Sequence, residues 1–152
     1  MAVADVKPSL TLKRRLKASP ALVYAVWTEP RHLVNWFGPM GAQVTKAETD
    51  VRTGGRYHIV FVTPDGEDHD VSGTYDEVVP NERLAFSWMW RTLPDRVSHV
   101  TLTFKPIRED DGDGTLFTLL HEQFFDEAAR DRHMWGWSGS LDALEAYLKS
   151  TA

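Results

Sequence analysis

Arg14, His121 and His133 are the residues around which chemistry could be built, and an unusual supply of aromatic side chains accompanies them. Arg14 lies in a stretch where Leu10, Leu12, Arg14 and Leu16 alternate with Thr11, Lys13, Arg15 and Lys17. That is the period-two signature of a half-buried strand, and it sends the guanidinium inward. His121 shares a predicted strand face with Phe117 and Leu119, and His133 falls on one stripe of a predicted helix. A polar group sent inward without a partner costs roughly 2–7 kcal/mol, so each must be paired with something. Paired to a ligand, Arg14 and His121 would orient its oxygen atoms, with His133 beside them and Phe61, Trp88, Trp90 and Trp137 as apolar walls. An apolar pocket with a few convergent polar groups is the usual form of a small-molecule site. Each residue alone also fits a bland role: Arg14 held by a carboxylate, His121 a satisfied core histidine, the tryptophans core filler. Their coincidence is what points to a pocket. Trp36 and Phe37, beside Gly38-Pro39, are expected at its rim, where they could act as a gate.

Other chemistries are disfavoured by spacing. The six histidines (His32, His58, His69, His99, His121 and His133) include no pair at i, i+4 on a common helix, and Phe stands where a zinc-binding helix beginning at His121-Glu122 would need its second His. The acidic turn from Glu109 to Gly114 resembles a calcium loop, but the twelfth position is Leu120 instead of a bidentate Glu. No metal and no cofactor are expected. Gly136-Trp137-Ser138-Gly139-Ser140 misses the nucleophile elbow by one residue and falls mid-helix. Phosphate-cradling glycine patterns are missing too.

The elements that must position these residues follow from periodicity. The dominant one runs from Asp126 to Leu148. There Met134, Trp137, Leu141, Leu144 and Leu148 recur at steps of three and four, giving one apolar face of a long helix predicted over Glu127–Lys149. An adjacent stripe carries His133, Gly136, Ser140 and Ala143, mostly small, while Ser138, Asp142, Glu145 and Lys149 face water. Gly136 and Gly139 each cost roughly 1 kcal/mol of helix stability relative to Ala. They imply either close backbone contact or unfilled space. Trp135, opposite the apolar stripe, is the expected exposed contact. Ser19-Pro20 opens a short helix and Thr28 and Pro30 separate it from a second, Pro20–Phe37 in all. Turn signals then mark off Gln43–Glu48, Arg56–Val62, Asp70–Val79, Leu84–Trp90, Val97–Ile107 and Thr115–Gln123 as strands of an antiparallel meander. The class is α+β: about seven strands in a curved sheet that wraps the long helix.

Composition sets the outer bounds. With 152 residues, 42% of them hydrophobic and 26% charged, the chain fits one soluble domain over 9–150 behind a tail of 1–8. No run approaches the roughly 20 apolar residues of a membrane span, and the N-terminus lacks signal-peptide order, so a cytoplasmic protein is expected. The absence of cysteine removes disulfides and thiol nucleophiles. A net charge of -5 without a Lys/Arg cluster argues against nucleic acid. Mild self-repulsion and the lack of a partner face predict a monomer or weak homodimer.

Several stretches carry a resemblance: RLKASP (Arg15–Pro20), VWTEPRHLVNWFGP (Val26–Pro39), DVRTGGR (Asp50–Arg56), VVPNERL followed by FSW (Val78–Trp88), TLFTLLH (Thr115–His121) and GWSGSLDAL (Gly136–Leu144). Together they resemble the domain of the activator of heat-shock-protein-90 ATPase, within the polyketide-cyclase/START-like (SRPBCC) superfamily, nearly end to end. The resemblance implies a helix-grip fold, a curved antiparallel sheet gripping a long C-terminal helix around a cavity. This scaffold hosts carriers, cyclases, hydrolases and non-enzymatic partners, so it does not by itself fix a function. The eukaryotic co-chaperones of the family carry a separate N-terminal domain, whereas only a short stretch precedes the first predicted strand here. The leading expectation is therefore a cytoplasmic binding protein for a small, largely apolar or aromatic molecule. The alternatives are a chaperone-ATPase regulator acting through its surface, and a cofactor-free cyclase or hydrolase with His121 as base and Arg14 stabilising an enolate.

Overall fold

The computed structural model describes residues 7–39, 41–109 and 112–151. The expected tail of 1–8 and the tip of the acidic turn, Asp110 and Asp111, lie largely or wholly outside them. Strand β1 (Leu10–Leu16) is followed by helices α1 (Pro20–Thr28) and α2 (Pro30–Leu33). Six strands then run as β2 (Gln43–Thr49), β3 (Arg56–Val62), β4 (Asp68–Val79), β5 (Arg83–Trp90), β6 (Ser98–Glu109) and β7 (Gly112–Glu122), before the long helix α3 (Glu127–Ser150). The seven strands form one sheet in the order β1-β7-β6-β5-β4-β3-β2, antiparallel throughout. Consecutive hairpins build β2 to β7, and the first strand returns to pair with the last, Leu10 opposite His121 and Leu16 opposite Thr115. Bulges at Val44/Lys46 and Tyr75/Glu77 shift the register, which increases local twist and curls the sheet.

Local signals explain the helix ends. Ser19 Oγ accepts the Leu22 N–H at 3.2 Å and Pro20 occupies the first turn of α1, while Asp126 accepts from Ala129 N at 2.8 Å at the start of α3. The expectation of helix as far as Phe37 is corrected: α2 is four residues long, and Val34, Asn35 and Trp36 form a turn. Gly38, at φ +101, then takes the chain out of that turn, a conformation open to glycine at little cost.

Helix α3 lies on the concave side and buries Trp137, Leu141, Leu144 and Leu148, the face expected from spacing. Each such leucine contributes roughly 1.5–3 kcal/mol relative to exposure. They meet Leu84, Val100, Leu102, Phe117 and Leu119 in one core cluster that also takes in Val23, Val26 and Trp27 of α1. His32 Nδ1 and the Tyr147 hydroxyl, 2.7 Å apart, tie α2 to the far end of α3. Among the described residues no helix is long and apolar enough to cross a membrane.

Candidate functional site

Between the N-terminal half of α3, the β3–β5 end of the sheet and the turn after α2 there is a cavity of about 640 Å³. Strand alternation sends Phe61 of β3 and Trp88 of β5 into it, and Trp90, two residues further on, follows from the same alternation. Phe37 reaches it from the turn after α2, and His133, Gly136, Trp137 and Ser140 come from α3. The wall is an aromatic lattice. Trp88 and Trp137 ring centroids are 5.0 Å apart, Trp88 meets Trp90 edge-on at 5.4 Å, and Phe61 stacks on His69 at 5.0 Å. Such contacts hold the rings in place and leave their outer faces free for an apolar occupant. An added Cβ at Gly136 would meet nothing within 4 Å. Of the two readings of that glycine, unfilled space is the one realised.

Two hydrogen bonds clip α3 to the sheet behind this wall, and they run in opposite directions. Trp137 of α3 donates its indole N–H to Nδ1 of His121 on β7 at 2.9 Å. Trp90 of β5 donates to Nε2 of His133 on α3, also at 2.9 Å. These donors fix both tautomers. His121 must carry its proton on Nε2, which donates to Ser98 Oγ at 2.7 Å, leaving the Ser98 hydroxyl to donate to the Trp88 carbonyl. His133 carries its proton on Nδ1, donating to the Ala129 carbonyl at 2.7 Å. Burial pushes the His121 imidazolium well below its ordinary range, and the nearness of His133 and His99, whose protonated forms would repel it, acts in the same direction. His133 is also depressed, chiefly by burial and further by Arg132, against the raising effect of the Ala129 carbonyl. Both rings are neutral and use both nitrogens.

The residues expected from sequence fall into two groups. Phe37, Phe61, Trp88, Trp90, His133 and Trp137 line the cavity together. Three do not. His121 is fully buried one layer behind, screened by the indole it accepts from. Trp36 is sealed in the core, its N–H donating to the Val26 carbonyl at 2.9 Å and its ring edge-on to Trp27 at 4.7 Å, which fixes it and removes it as a gate. Arg14 keeps the inward side of β1 but reaches the wet flank of α3, pairing with Asp142 at 2.9 Å and Glu145 at 3.4 Å at 24% side-chain exposure. Alternation does turn Arg14 inward, yet an edge strand's inward face ends at the helix rim, so the guanidinium finds carboxylates instead of a ligand.

Sequence reasoning missed Thr63, Asp65 and His69 of the β3–β4 hairpin and Asp131 and Arg132 of α3 on the cavity's outer ring, and Ser140 at its inner end, while Trp135, expected as an exposed contact, lies on the rim. Ser140 alone had a signal, its place on the thin stripe. In the hairpin, the Thr63 hydroxyl donates to Asp65 and accepts from His69 Nε2 at 3.0 Å. That hydroxyl and the Glu67 backbone N–H hold the Asp65 carboxyl below its usual range. Asp65, Glu67 and His69 bring donor atoms within 4.8 Å of one another, but the two carboxylates are exposed and the arrangement is that of a hydrogen-bonded turn. A second depression of about 670 Å³ is lined by Glu48, Asp50, Arg56, His58, Asp70 and Arg91. Asp70 pairs there with His58 at 2.8 Å and with Arg91 at 3.6 Å, and Glu48 and Asp50 are taken by Lys46 and Arg52, so the aromatic cavity is the stronger candidate.

The chain is similar in fold and sequence to solved structures. A Chromobacterium violaceum protein is 30% identical, covering 92% of this chain and 96% of that one at a TM-score of 0.80. The AHSA1 protein from Silicibacter pomeroyi is 28% identical over 95% and 100% of the two chains, with a TM-score of 0.82. A Nitrosomonas europaea protein is 25% identical over 99% and 98%, at 0.77. A search of curated proteins returns no significant match. The model of the family described as Activator of Hsp90 ATPase homolog 1-like protein matches residues 17–149. The curled seven-stranded sheet gripping α3 is the START-like arrangement of these relatives, and the chain belongs to the Activator of Hsp90 ATPase homolog 1-like protein family.

Proposed function

We propose that this protein is a cytoplasmic binding protein for a small, largely apolar or aromatic molecule held between the sheet and the N-terminal half of α3. The observation that carries the reading is the cavity of about 640 Å³ walled by Phe37, Phe61, Trp88, Trp90 and Trp137, within the usual size range of small-ligand sites, roughly 300–1,000 Å³. Binding, and not proton abstraction by His121, is favoured because both His121 nitrogens are engaged and the ring is screened from the cavity. Titrating aromatic probes against tryptophan fluorescence tests the reading. Saturable one-to-one quenching with a rise in melting temperature is expected, since a ligand of the native state stabilises it by mass action. Absence of saturable binding across a fragment library would overturn it.

A second reading, regulation of a chaperone ATPase through the surface, is favoured by the exposed Phe125 and Trp135. Stimulation of the host chaperone's ATP turnover that is lost on Trp135→Ala would support it, and no stimulation would reject it.

A further inference from the structure

Arg132, Gly136 and Ser140 stand at i, i+4 and i+8 on α3 and all three line the cavity. Residues so spaced share one face of a helix, and eight steps of about 1.5 Å each place the outer two about 12 Å apart along its axis. The stripe runs from water to core. Arg132 is exposed and makes no ion pair among the described residues, its neighbour Asp131 being taken by Arg130 at 3.1 Å. Gly136 is half-buried with open space above it. Ser140 is only 3% exposed, and its hydroxyl has no hydrogen-bond partner among the described residues. The hydroxyl oxygen is not fully enclosed by protein, and Ser140 lines the cavity, so the hydroxyl opens on it. A buried hydroxyl left unpaired is costly unless something brought into the cavity completes it.

Resting on the reading of the cavity as a ligand site, we propose that the ligand is an elongated aromatic acid lying along this stripe. Its carboxylate meets Arg132 at the mouth, its rings lie over Gly136 between Trp88, Trp90 and Trp137, and an oxygen at its inner end hydrogen-bonds Ser140. Deeper in the wall the imidazoles of His121 and His133 and the indoles of Trp90 and Trp137 are already paired, while the buried Trp88 indole N–H has no partner among the described residues and is a second donor left open. Arg132, the sole Lys or Arg of the lining, stands at the mouth beside the exposed carboxylates of Asp65 and Asp131, and with one hydroxyl at the inner end and an aromatic slot between them it selects for shape and for oxygen at both ends.

The test uses three rod-shaped probes on the full chain: hydroxybiphenyl carboxylic acid with its polar groups at opposite ends, biphenyl carboxylic acid without the hydroxyl, and the carboxamide of the first. Calorimetry should rank the hydroxy acid above the acid lacking the hydroxyl by about three- to tenfold, the value of one neutral hydrogen bond. Ser140→Ala should erase that difference. At low salt the acid should also bind about two- to fivefold more tightly than the carboxamide, and Arg132→Gln or high salt should erase that preference. Gly136→Leu, which fills the slot and favours helix, should abolish binding of all three while circular dichroism shows the fold intact. If the probes bind equally and Gly136→Leu still abolishes them, the cavity stands as a ligand site and the aromatic-acid assignment is overturned. If none binds to the unaltered protein, the ligand reading itself falls and this assignment falls with it.

Discussion

Lowering the pH from 7.5 to 5.5 should destabilise the fold through its two neutral, buried histidines. His121 accepts an indole N–H on Nδ1 and donates from Nε2, so a second proton has no acceptor to point at and would have to displace Trp137 inside the core. Its imidazolium is therefore depressed in the folded chain, first by burial, while in the unfolded chain it protonates near its ordinary value of about 6.5. Between that value and the depressed one the unfolded state binds the extra proton. The stabilisation is thus complete above about pH 6.5 and is lost progressively as the pH falls. For one histidine that stays neutral in the native state, the loss at pH 5.5 integrates to about 1.4 kcal/mol. His133 is depressed less clearly, held partly by the Ala129 carbonyl, and adds at most a similar amount. The pair therefore costs between about 1.4 and 2.8 kcal/mol, a large share of a typical total of roughly 5–15 kcal/mol. Urea unfolding across this pH range measures the loss, and ring signals in NMR spectra report each histidine. The decisive comparison is His121→Leu, which lowers stability at every pH but should flatten the slope by up to about 1.4 kcal/mol per pH unit. A full acid slope retained in His121→Leu, or a folded His121 titrating near 6.5, would refute the reasoning.

Leu144, fully buried against the sheet, should cost about 2–5 kcal/mol on substitution to Ala, read from urea midpoints at unchanged slope. Arg14→Met should cost no more than about 1 kcal/mol, because its ion pairs with Asp142 and Glu145 are half-exposed, and should leave probe affinity unchanged; a large affinity loss would return Arg14 to the ligand site. Trp90→Phe keeps the aromatic wall but removes the donor to His133 Nε2, so stability should fall by about 1–2 kcal/mol and the His133 ring signal should titrate at a higher pH than in the unaltered protein.

What the sequence determined by itself is what local periodicity can carry. A repeat of three and four residues is a statement about one helix, and α3 runs Glu127–Ser150 with Trp137, Leu141, Leu144 and Leu148 inward because those side chains share a face whatever they meet. Alternation with turn residues likewise defined the strands, β3 to the residue, and with them the inward direction of Phe61 and Trp88. Even the thin stripe through Gly136 and Ser140 was legible, though not whether it was packed or empty. Partners across the chain were not legible, because a hydrogen bond depends on where two elements come to rest. Arg14 meets acids more than a hundred residues away at the rim of α3. His121 points inward as alternation requires, but the tertiary packing puts Trp137 between it and the cavity and so decides that it is a clip instead of a base. Gly38 and Pro39 make Trp36 look like a gate from sequence, and only the folded chain brings the Val26 carbonyl within 2.9 Å of its indole and fixes it. The cavity itself is a volume left between a curled sheet and a helix with one side chain missing, and volume is a property of the assembly that no single stretch of sequence contains.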